Sequence, residues 1–154
     1  MTDEAALAPL LRQAFRPLFL LGALFSAGAM LLWGLVLAGW ISLSPYQNVV
    51  FWHQHEMLFG FVAAIIVGFL LTAVQNWAGT RATHGRELLG LVLVWLAGRA
   101  LMLFGAGLPP WLVAAVDLAF LPLAAWYFGS IVLAAGNTRN LFFVPLLLLL
   151  MVIF

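Results

Sequence analysis

Apolar residues run along this chain in long unbroken stretches, not in the alternating or amphipathic patterns of a water-soluble domain. Five stretches stand out: about Pro17 to Trp40, Phe51 to Gln75, Leu88 to Phe104, Trp111 to Ala135 and Leu141 to Phe154. A hydrocarbon layer about 30 Å thick takes about 20 apolar residues as a helix. The first four stretches meet or approach that length, whereas the fifth rises only about 21 Å before the sequence stops. The pattern predicts an all-α fold: a polytopic transmembrane helix bundle with four full spans plus the start of a fifth, forming one domain over residues 1–154. It reads as the N-terminal part of a longer protein, or as a bundle completed by partner helices or by a homo-oligomer.

Composition supports a lipid-facing surface. The chain is 66% hydrophobic and 7% charged, whereas a soluble domain carries about 25% charged residues. Cysteine is absent, which excludes disulfides, thiolate zinc sites and iron–sulfur clusters. A net charge of +1 gives no basic patch for nucleic acid. The N-terminus opens on Met1-Thr2-Asp3-Glu4, acidic where a secretory signal is basic, and the first apolar stretch is too long for a signal's core. It is read as a retained span.

All six basic residues are arginine. Arg12 and Arg16 precede the first span, Arg81 and Arg86 lie between the second and third, and Arg139 lies between the fourth and fifth. The two other loops carry none, so the positive-inside rule places the N-terminus in the cytoplasm. Trp40, Trp52 and Trp111 are expected at the outer interface and Trp77 at the inner one. Trp33, Trp95 and Trp126 are expected to pack deeper, Pro122 to kink the fourth helix, and His84 to be a solvated loop residue. Thr72, Gln75 and Asn76 read as a polar cap on the second helix.

Three charged residues fall inside spans: Glu56, Arg99 and Asp117. A charge in the bilayer costs at least about 2.5 kcal/mol and marks a pathway or a site. At the rise of a helix, all three lie about 8 to 10 Å below the outer ends of their spans. His53, His55, Met57 and Met102 share that layer. Arg99 and Asp117 are joined by a short hairpin and are expected to pair, or else to meet an anion such as a propionate.

The second span opens on Trp52-His53-Gln54-His55-Glu56. On a helical wheel, His53, Glu56, Met57, Gly60, Ala64 and Gly68 share one side, whose small residues allow a neighbour to approach closely. His55 lies about 200° from His53, with Trp52, Phe59, Val62 and Ile66. Three arrangements remain open. The helix starts after His55 and both imidazoles converge; or each serves a separate centre; or one alone is a ligand. Imidazole suits haem iron, copper or zinc, and a soft copper site without cysteine needs His with Met, such as His53 with Met57. Glu56 is placed to accept an imidazole N–H. A proton-handling site built on the same ionisable groups is the competing reading.

Several runs resemble the NnrS family: Phe15-Arg16-Pro17-Leu18-Phe19-Leu20, the run from Trp52 to Phe61, Gly68 to Gly79, Trp95-Leu96-Ala97-Gly98-Arg99, and Asp117 to Pro122. The resemblance covers nearly the whole chain. It implies a bacterial inner-membrane protein containing haem and copper, connected with denitrification and the response to nitric oxide, with His53 and His55 as ligands. Family members are typically longer, with about twice as many helices. The rival reading is a non-redox transporter subunit or assembly partner with a Glu56–Arg99–Asp117 relay. The pattern assigns no reaction.

Overall fold

The structure, a computed structural model, describes residues 9–152. The acidic opening Met1–Glu4 and the last two residues of the fifth apolar stretch lie outside the described residues. A short 3-10 turn, Pro9–Arg12, leads into helix α1, Phe15–Leu37. Helix α2 runs unbroken through Val49–Ala78 and is 30 residues long. Helices α3, Gly85–Phe104, and α4, Pro110–Ala134, follow. A second 3-10 turn, Thr138–Phe142, opens into α5, Phe143–Val152. No strand occurs among the described residues, and α1 to α4 are each long and apolar enough to cross a membrane.

Local chemistry sets the helix ends. Asn48 is extended, and its Oδ1 accepts from the N–H groups of Val50 (3.0 Å) and Phe51 (2.9 Å). It thus satisfies two of the amides that a helix start leaves open. At the other end Gly79 turns left-handed, φ +65°, and stops α2. Helix α4 is interrupted at Ala119. The break lies just ahead of Pro122, whose ring has no N–H and crowds the carbonyl four residues earlier, that of Leu118.

Helix α2 is the centre of the bundle and α1 packs on its flank. Small residues set this contact: a Cβ added to Gly22 would lie 3.4 Å from the Ala64 Cβ, and one on Gly68 3.1 Å from Leu18. Thr72 joins the same contact. Its hydroxyl accepts from the Phe15 N–H (3.0 Å) and donates to the Gly68 carbonyl (2.7 Å), so it satisfies the open start of α1 where a cap on α2 was expected. The end of the bundle that carries the arginine loops is filled by an apolar core of Leu71, Val74, Leu88, Leu91, Phe128 and Val132.

Two tryptophan expectations change. Trp52 is buried at 1% exposure, enclosed with Ala29, Met102 and Val113, and is not an interfacial anchor. Trp126 is 71% exposed on the lipid side and does not pack. Trp40 and Trp111 are exposed, and Trp95 is buried. His84 is half-buried, with its Nδ1 2.7 Å from the Ala82 carbonyl.

Candidate functional site

The middle of α2 winds as a π-helix over Glu56–Val62. Its signature is the Ala63 N–H bonded to the Leu58 carbonyl, five residues back. An inserted residue of this kind offsets the faces of the helix before and after it by about 100°. Below the insertion, Ala64, Val67, Gly68 and Leu71 face inward. Above it, the residues that face inward are Trp52, His55 and Glu56. A regular wheel carried back from the small residues also selects Glu56, but with His53 and Met57 in place of Trp52 and His55; His53 and Met57 are only half-buried. The π segment therefore decides which histidine enters the bundle.

Four ionisable side chains from three helices meet there. His55 Nε2 is 3.0 Å from Asp117 Oδ2, and His55 Nδ1 is 3.6 Å from Glu56 Oε1. Arg99 closes the ring, with Nε 3.2 Å from Glu56 Oε2 and Nη2 paired with Asp117 Oδ1. Exposure is 5% for His55, 0% for Glu56, 6% for Arg99 and 5% for Asp117. Water does not screen this ring, so its members hold one another in place. A protonated His55 makes the four charges sum to zero; a neutral imidazole leaves one net negative charge. The expected pair of Arg99 with Asp117 is present, and Arg99 serves Glu56 as well.

The ring is braced from both sides. Gly98 lets α4 come close to α3: a Cβ there would stand 3.0 Å from Asp117 Oδ1 and 3.2 Å from its Cα. Gly60 leaves no space at all, since a Cβ would strike the Phe25 ring and stand 2.6 Å from Glu56 Oε2. Trp95 donates its indole N–H to the Gly60 carbonyl at 3.1 Å within the π segment. Phe25 meets the Trp95 ring edge-on at 5.7 Å, and the Arg99 guanidinium lies 6.0 Å from its centroid. The close approach at Gly60 was expected from the sequence; the roles of Gly98 and Trp95 were missed. A glycine or tryptophan beside a buried charge was the available signal.

His55 is stacked on Phe59 (4.7 Å, 7°) and tilted against Phe51. Beside it lies a cavity of about 110 Å³ lined by Tyr46, Phe51, His55, Met102 and Asp117 among others. The loop over it is tied down by the Tyr46 N–H, which donates to the Met102 carbonyl at 3.0 Å. His53 lies elsewhere, with its ring stacked on Trp33 of α1 at 4.3 Å and 6°. Helix α2 begins at Val49, ahead of both histidines, so an unwound start that lets them converge is ruled out.

Among the described residues no three His, Asp or Glu side chains gather as a metal-binding group. Each imidazole nevertheless keeps a buried Nδ1 without a hydrogen-bond partner, and so does Glu56 Oε1 opposite His55. With the His55 proton on Nε2 toward Asp117, its Nδ1 lone pair faces the Glu56 oxygen, a gap suited to a cation. The donors fit one imidazole ligand at each of two places, not a shared centre.

The helix bundle and its buried polar ring define a multi-pass membrane protein. Residues 9–154 match the family model described as NnrS protein, and the chain belongs to the NnrS family. No curated protein and no solved structure matches the chain.

Proposed function

We propose that this NnrS-family chain binds haem and copper in the bacterial inner membrane, with its N-terminus in the cytoplasm, and takes part in the response to nitric oxide during denitrification. Family membership supports the class. The observation that carries the ligand reading is the pair of buried Nδ1 atoms, on His53 and on His55, that make no hydrogen bond. Buried polar atoms normally have partners, so each marks a place for one.

The two histidines take different groups. The cavity at His55, about 110 Å³, is well below the roughly 300 Å³ of sites for drug-sized ligands. It admits an ion and a diatomic molecule but no porphyrin. His55 therefore holds copper, with Glu56 facing the same gap and Asp117 fixing the ring through Nε2. His53, at the half-buried edge of the bundle against Trp33, is the haem ligand. Met57 is the soft donor nearest to these two in sequence. A bound metal supplies a coordination position for nitric oxide; the chain orients the imidazoles and excludes water. Partner helices or a second copy complete the haem side.

The optical spectrum and copper content of the protein purified from haem-replete cells test this. His53→Ala should remove the Soret band and leave copper, and His55→Ala should do the reverse. A wild-type protein with neither would end the proposal.

One observation favours a second reading. The closed ring beside an outer cavity has the form of an ion or proton relay in a non-redox transporter subunit. Metal-free protein that carries pH-dependent flux in liposomes would favour it over the first.

A further inference from the structure

At the opposite end of the bundle, the junction of α2, α4 and α5 leaves a cleft of about 510 Å³ lined by Trp77, Asn137, Arg139, Asn140, Phe142 and Phe143. Its walls are well fixed. Gly136 turns left-handed, φ +67°, to end α4, and Asn137 then donates its side-chain N–H to the Trp77 carbonyl at 2.9 Å. Trp77 stacks on Phe143 at 5.6 Å and 13°, and Phe142 leans on Phe143 at 4.0 Å. The turn between α4 and α5 is thus locked to the end of α2.

Arg139 is different. It is exposed at the cleft and makes no hydrogen bond or ion pair among the described residues. The Asn140 side chain is equally without a bond. One unpaired cation, a free amide and a floor of aromatic rings lie together at the level where α2 and α4 leave the apolar layer. Tryptophan rings such as Trp77 settle at the headgroup level of a bilayer, and basic pockets between helices at this level take anionic headgroups. Arg12, Arg16, Arg81 and Arg86 lie at the same end of the bundle and add to its positive potential. The apolar flank of α5, with Leu146 and Leu149 exposed, continues from the cleft toward the membrane interior and gives acyl chains a surface to follow.

We infer that this cleft is a binding site for the phosphate of an anionic phospholipid, with Arg139 and Asn140 on the phosphate and Trp77 and Phe142 against the glycerol region. The inference is independent of the haem and copper proposal, because the cleft and the buried ring lie at opposite ends of the bundle.

Native mass spectrometry of the full chain, exchanged into matched-chain phosphatidylglycerol and phosphatidylcholine, tests it. The wild type should retain phosphatidylglycerol in preference. Arg139→Gln should weaken that preference about five-fold, the effect of one basic residue at a membrane surface. Arg86→Gln, at the same end but outside the cleft, should weaken it much less than Arg139→Gln does. Trp77→Leu, which keeps every charge, should shorten retention of both lipids. Equal losses in Arg139→Gln and Arg86→Gln would overturn the site in favour of diffuse surface charge. No preference in the wild type would also overturn it, as would displacement of the lipid by inorganic phosphate alone, which would make it a free-anion site.

Discussion

The two ends of this bundle are built on different physics. At the arginine-loop end, α2, α3 and α4 meet through Leu71, Val74, Leu88, Leu91, Phe128 and Val132, an apolar core in regular helix. At the other end the same helices meet through His55, Glu56, Arg99 and Asp117, and α2 abandons regular winding to bring them together. Lipid is as apolar as leucine, so the first end gains only dispersion contacts on assembly. Its residues are exchangeable, provided that they fill space. The second end concentrates charges that are costly alone and tolerable together, so each depends on the others. Unlike packing, that interdependence gives one arrangement and no near-equivalents.

The comparison can be broken experimentally, and the largest effect should come from the ring. Arg99→Leu leaves Glu56 and Asp117 buried without a cation and should cost about 3–5 kcal/mol, read as a lowered denaturation midpoint in detergent. Leu91→Ala in the apolar end should cost about 2 kcal/mol, the low end of core truncations. No transfer from water is lost there. If the leucine proves the more damaging of the two, the contrast between the ends is false. Trp95→Phe keeps the ring but strips the Gly60 carbonyl of its donor. It should cost about 1–3 kcal/mol and quicken amide exchange in Glu56–Val62 more than in Ala63–Ala78. Trp126→Leu, on the lipid side, should move stability by less than about 0.5 kcal/mol and serves as the baseline.

The same contrast explains what the sequence could reveal. Long apolar stretches and arginine-bearing loops are additive signals, so the four crossing helices were legible. The three intramembrane charges were legible for the same reason: each is conspicuous alone. The partnership of His55 with Glu56 was not. Wheel geometry assumes a constant angle per residue, and a single extra residue in Glu56–Val62 rotates everything above it. No side chain announces that insertion; Gly60 only permits it. The interior position of Trp52 followed from the same offset, whereas nothing in the apolar run around Trp126 marks that position, 71% exposed, as facing outward. His53, placed by the wheel among the inward residues, ended against Trp33.

Gly98 has a consequence for the hairpin as a whole. With no side chain between them, α3 and α4 rest almost backbone to backbone beside Arg99 and Asp117. That missing methyl works as a calliper. It fixes the gap that the guanidinium must bridge, leaving little room for the carboxylate to be reached by a longer or slacker cation. A lysine at position 99 would carry the same charge but not the fork that grips two carboxylates at once, so the span of the hairpin itself dictates which cation can live there.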